Sequence, residues 1–330
     1  MSTSELAVRT EILWAFKVTA SNFAFASCDG VAELFATMFP GLVAEEFSLG
    51  SRKPSYMFSD GLRPYLLKQL SSDIANSHGF TICFDETQTI QGKKQRDILV
   101  RYWSEVGDGI KVRFVKAALF GRAKADTVSS ELESVVEDTL NLSVKQILSL
   151  SSDGPNVNKA IWRQINEKCK AAGSPGMVNV GFCNIHVVHN GFRKGMQSLG
   201  QHAEQLAIDI YYHFDQSPCR REDYLKLQQD VGLSEEVFLR HVESRWLTLL
   251  PALSRISDQL DGLKKYFITD LPNQDKAVAT TERYRRIVAT PKSPEFPIQL
   301  HFLESVKPLF DNILRSFQME GPMVHVLFES

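Results

Sequence analysis

The stretch Gly79-Phe80-Thr81-Ile82-Cys83-Phe84-Asp85-Glu86-Thr87 is where the chain changes period. Upstream, apolar residues recur at helical spacing over residues 5–47: Leu13, Phe16, Ala20, Phe23 and Ala24, then Val31, Leu34, Phe35 and Met38. Residues 60–77 carry the same period through Leu62, Leu66, Leu67 and Leu70, with Asp60 placed to cap. From Gly79 onward the apolar run is short and closes on acids, which reads as a strand. Arg96 to Val106 alternates through Ile98, Val100 and Tyr102, and Gly107-Asp108-Gly109 is a hairpin turn. Ile110 to Phe120 then reads as a third strand.

Further along, residues 126–141 show a helical stripe. Gln146–Ser151 reads as a strand ending in Ser152-Asp153-Gly154-Pro155, and residues 156–172 as a helix. Met177–Phe182 reads as a fifth strand, followed by a long helix toward Phe214. Three strands joined by tight turns are antiparallel, and strands reached through helices are parallel. The expectation is an α/β fold: a ribonuclease-H-like mixed five-stranded sheet with flanking helices, its first and fourth strands adjacent. The strand signals stop after Gln216. Three regions follow: N-terminal helices over 1–78, the core over 79–215, and an all-helical region over 216–330. Within the last, the proline-broken stretch 271–297 reads as a loop between helices.

Composition narrows the class. The chain has 330 residues, 43% hydrophobic and 23% charged, which is ordinary for a soluble globular protein. Global disorder, a fibrous repeat and a disulfide scaffold are excluded. Five scattered cysteines with no CxxC pair point to a reducing compartment. No secretory leader and no 18-residue apolar window stand out, so no membrane partner is expected. The net charge is −2, but it is unevenly spread. Residues 79–200 carry 16 Lys and Arg against 12 Asp and Glu, and residues 201–330 carry 15 against 19. Clusters at Lys93, Lys94 and Arg96, at Lys111, Arg113 and Lys116, and at Arg122 and Lys124 make phosphate contact a reading beside that of a solvated face.

The strongest constellation is Asp85 with Asp153. Each closes a strand, and in the expected order the two strands are neighbours. Either aspartate alone also reads as a turn or helix cap. Together, two close carboxylates repel unless a cation sits between them. Divalent magnesium or manganese suits oxygen ligands, and a pair of such ions can clamp a phosphodiester. Cys183-x-x-His186 offers two ligands where zinc needs four, and no second pair sits at finger spacing, so zinc is not expected. Glu243-Ser244-Arg245-Trp246 reads either as a packed indole with a paired guanidinium or as an aromatic for base stacking. The absence of a Walker loop, GxGxxG, GxSxG and HExxH argues against ATPase, dinucleotide, α/β-hydrolase and zincin chemistry.

These motifs carry a resemblance. FDET around Asp85, SSDGPNVNKAI around Asp153, CNIHVVHN from Cys183 to Asn190, and ESRWLTLL around Arg245-Trp246 resemble hAT-superfamily DNA transposases. SDGLRPYL, residues 59–66, resembles the segment before their catalytic domain. The resemblance implies a ribonuclease-H-like core interrupted by an all-helical insertion, represented here by 216–330. It implies that Asp85 and Asp153 are the first two members of a metal-binding Asp-Asp-Glu triad using Mg2+ or Mn2+. Cys183 and His186 correspond to the family's Cys/Asp-x-x-His motif, and Trp246 to its aromatic near the cleaved DNA end. It implies DNA as partner, a nuclear location, and homo-oligomers in full-length relatives. Glu295, Glu304, Glu320 and Glu329 are the late glutamates, and none reads as the third acid. Nor is the family's BED finger or C-terminal dimerisation region visible. The expectation is therefore a truncated transposase-like chain, inactive in strand cleavage. A domesticated nucleic-acid- or protein-binding module without catalysis is the alternative.

Overall fold

The computed structural model describes residues 2–43, 46–200, 202–215, 217–242 and 248–319. The chain divides into two compact units, 1–179 and 180–330.

In the first unit a single sheet is formed by β1 (Phe80–Gln88), β2 (Lys94–Ser104), β3 (Gly109–Phe120) and β4 (Ile147–Ser151). Their spatial order is β3-β2-β1-β4. β1 pairs antiparallel with β2, β2 antiparallel with β3, and β1 parallel with β4. The turn chemistry explains the antiparallel half: Asp108 and Gly109 take φ of 42° and 154° in the β2–β3 hairpin, backbone that glycine and aspartate tolerate best. The parallel β4 needs a crossover, supplied by the helix Ala125–Ser134 and the helical turn that extends it through Thr139.

Side-chain alternation sorts the sheet into two faces. Phe80, Ile82 and Phe84 of β1 lie opposite Tyr102, Val100 and Ile98 of β2, and all six are buried. Helices Arg63–Ala75, Ala125–Ser134 and Asn156–Ala171 close over this face with Ile74, Val128, Leu132, Ile161 and Ile165. Each fully buried aliphatic side chain contributes about 1.5–3 kcal/mol. A bulge opposite Ile98 and Leu99 gives β3 one extra residue, Val115, which turns into the core. On the other face, Trp103, Ile110, Val112, Phe114 and Leu119 are each more than a third exposed.

Several sequence expectations are corrected. No strand forms at 177–182; between Gly176 (φ 102°) and Gly181 (φ 83°), the Val178 N–H donates to the Leu148 carbonyl of β4 at 2.7 Å. The sheet therefore has four strands rather than five among the described residues. The helix expected to run to Phe214 stops at Gly200, whose φ of 85° no helix accommodates, and resumes as His202–Asp215. Asp60 is not a cap: it lies inside a π-helical turn, Met57–Leu62, between helices Lys53–Tyr56 and Arg63–Ala75.

The second unit is helical. Leu206, Ile210 and Phe214 of His202–Asp215 pack with Leu253 of helix Leu249–Asp258, with Tyr266 and Phe267, and with Phe296 and Leu300 of helix Glu295–Phe317. The proline-broken stretch holds a helix, Glu282–Ala289, which Thr281 caps by accepting the Tyr284 N–H. Its Arg286 makes two bonds to the buried Asp209 carboxylate, at 2.7 and 2.8 Å.

Candidate functional site: an aspartate pair at the sheet end

The last paired residues of β1 and β4 are Cys83 and Ser151. Asp85 and Asp153 each lie two residues further along, past the same end of two adjacent parallel strands. Neighbouring strands run about 4.8 Å apart, so this register sets the two residues past the same end of the sheet. Asp85 is exposed, and its Oδ1 accepts the Glu86 N–H at 2.9 Å. Asp153 is half-buried, and its Oδ1 accepts from the Asn158 amide at 2.5 Å.

Asn158 belongs to a longer chain of polar contacts that the sequence reading missed. Its Oδ1 accepts from Arg96 at 3.0 Å, and the same guanidinium donates to Glu86 Oε2 at 3.0 Å. Glu86 Oε1 accepts from Lys94 at 2.6 Å. Arg96 is 2% exposed and lies 5.5 Å from the centre of the Phe84 ring. The Lys94 ammonium, and then the Arg96 charge, hold the Glu86 carboxyl below the usual carboxylate range. Asp153 is thus positioned from beneath by a buried amide that is itself tied to a buried cation. Arg96 stands on β2 in phase with Ile98 and Val100, and that parity is the signal that places it inside.

A third aspartate is near in register: Asp97 on β2 lies opposite Asp85. Its Oδ1 accepts from Gln95 at 2.8 Å. Even so, no group of three or more His, Cys, Asp or Glu side chains is arranged to hold a metal among the described residues. The donor chemistry decides what fits. Two carboxylates, one with an oxygen already bonded to Asn158, do not supply enough oxygens for a two-ion clamp, whereas a single hydrated Mg2+ or Mn2+ keeps several waters and asks for one or two carboxylates. Burial pushes the neighbouring Cys83 thiol up, away from the thiolate form a nucleophile uses.

The remaining sequence candidates lie elsewhere. Cys183 is the N-cap of the helix Asn184–Leu199 of the second unit, and His186 lies in its first turn. Arg245 and Trp246 lie outside the described residues, as do Glu320 and Glu329. Glu295 begins the last helix, and Glu304 on it faces His301 at 3.6 Å. The basic clusters are partly neutralised. Lys94 and Arg96 bind Glu86, and Lys116 binds Glu131 at 2.7 Å. Arg122 and Lys124 stay exposed.

Among the described residues, no helix is long and apolar enough to cross a membrane. Compared with known proteins, the chain matches no family model and no curated protein.

Proposed function

We propose that this chain is a hAT-transposase-like DNA-binding protein, built on a ribonuclease-H-like core, that retains two metal-binding acids and does not cleave DNA. The observation that carries the reading is the register of Asp85 and Asp153, each two residues beyond the Cys83–Ser151 pair on adjacent parallel strands. Three antiparallel strands followed by a parallel fourth beside the first is the order such a core requires.

Asp85 and Asp153 would hold one hydrated Mg2+ or Mn2+, which supplies charge neutralisation toward a phosphate. Asn158 and Arg96 orient the Asp153 carboxylate, and Arg122 and Lys124 offer cations to a DNA backbone. Among the described residues no glutamate is grouped with the pair, which supports the reading without cleavage. A second reading, a protein-binding module, draws on the exposed apolar sheet face around Trp103, Val112 and Phe114.

Calorimetric titration with Mn2+ tests the acid pair. The wild type is expected to give a saturable heat that Asp153→Asn and Asp85→Asn abolish. Equal heats from all three proteins would refute the metal site.

A further inference from the structure

A cavity of about 890 Å³ opens in the first unit between the helix Arg63–Ala75, the preceding helical turn, and the β2–β3 hairpin. Its walls are mostly apolar, with Phe25, Phe58, Leu66, Leu70 and Val115 among them. Phe25 and Leu66 remain 38% and 49% exposed, an unusual concentration of unburied apolar surface at one place. The size falls in the range of sites for drug-sized ligands.

The charged groups are four, Arg63 and Asp73 on the helical side and Lys111 and Arg113 on the hairpin. Register pairs Tyr102 with Lys111 and Val100 with Arg113, so Tyr102, Lys111 and Arg113 share one face of the hairpin. Across from them Asp73 accepts from the Tyr102 hydroxyl at 2.8 Å and from Ser104 at 2.7 Å. Arg63 completes the charged lining. Three cations therefore line the cavity with one carboxylate, whose Oδ2 accepts both hydroxyls while its buried Oδ1 has no hydrogen-bond partner among the described residues. Arg113 donates to the Val112 carbonyl at 3.0 Å, and among the described residues Arg63, Lys111 and Arg113 enter no salt bridge.

We propose that this cavity binds an amphipathic anion: a fatty-acid-like monocarboxylate whose chain lies among Phe58, Leu66 and Leu70 and whose head meets Lys111 and Arg113. A purely apolar ligand would leave the excess positive charge unanswered. A bare inorganic anion would leave the apolar walls wet. A cation would be repelled. The site is separate from the aspartate pair and does not depend on DNA binding.

Isothermal titration of the full chain with dodecanoate, dodecan-1-ol and dodecylammonium, each below its micelle-forming concentration, tests the proposal. Dodecanoate is expected to bind at a single site, at least tenfold more tightly than the alcohol, with the ammonium weakest. In the Lys111→Gln/Arg113→Gln double variant the acid should fall to the level of the alcohol. Arg63→Gln, on a different element, should weaken dodecanoate alone, and covers the case of a misfolded hairpin variant. Leu66→Trp, which fills the cavity from a half-exposed position, should weaken acid and alcohol together. No saturable dodecanoate binding, equal binding of acid and ammonium, or unchanged binding in Leu66→Trp would each overturn it.

Discussion

Glu86→Gln should destabilise the first unit more than Arg96→Met, although Glu86 is the more exposed of the two partners. Its side chain is 31% exposed, against 3% for Arg96. Removing one member of a buried ion pair costs about 3–5 kcal/mol because the other charge is stranded. Here glutamine keeps an acceptor for Arg96, and solvent at Glu86 screens part of the loss. About 2–3 kcal/mol is the expected cost. In Arg96→Met the charge itself disappears, Glu86 keeps Lys94, and the apolar side chain packs on Phe84. The remaining penalty is the Asn158 Oδ1 left without a donor, about 1–2 kcal/mol. The double variant should cost no more than Arg96→Met alone, because no charge is then stranded. Pulsed thiol labelling of Cys169 in increasing urea reads this unit by itself, since Cys169 is fully buried in the sheet core. A larger loss in Arg96→Met than in Glu86→Gln, or additive losses in the double variant, would refute the reasoning.

Further perturbations test other parts of the structure. His213, buried among Tyr266 and Phe267, is pushed down to about 3, chiefly by burial and then by Arg220 and Arg283. Its folded value lies below its unfolded one, so it contributes stability above about pH 6.5 that is lost progressively as pH falls toward 3. His213→Phe should flatten that acid loss in melting temperatures recorded across pH 7 to 4, and an unchanged slope would contradict the assignment. Tyr102 is raised to about 12 by burial and by its bond to Asp73. Its contribution is complete below about pH 10 and is lost as pH rises toward 12, so Tyr102→Phe should remove that alkaline step in ultraviolet-monitored unfolding. Gly79→Ala would put a Cβ 2.7 Å from Leu148 and 2.8 Å from the Gln146 carbonyl, at a φ of 147°. The backbone contact leaves no flexible relief, and a loss of roughly 2–3 kcal/mol in urea unfolding is expected.

The hairpin and the parallel return to β1 were legible because their signals are local: a Gly-Asp-Gly turn, and a helix long enough to cross over. The fifth strand was not, because alternation at 177–182 says nothing about whether a ladder partner accepts it, and the flanking Gly176 and Gly181 take positive φ that breaks an extended run. Arg96 illustrates a different failure. Counted with Lys93 and Lys94 it resembles a solvated cluster, yet its phase with Ile98 and Val100 turns it into the core. The position of Asp85 and Asp153 past the same end of adjacent strands followed from strand order. Its support through Asn158 did not, since a contact spanning 62 residues between Arg96 and Asn158 has no sequence signature.

The central claim is that the chain binds DNA through its first unit without cutting it. A gel-shift series with a labelled duplex in Mn2+, from 50 to 200 mM salt and resolved again under denaturing conditions, tests both halves at once. The account predicts a shift at low salt that weakens steeply as salt rises, with every recovered strand intact. No shift at 50 mM salt, or cleaved strands that vanish in Asp153→Asn, would contradict it.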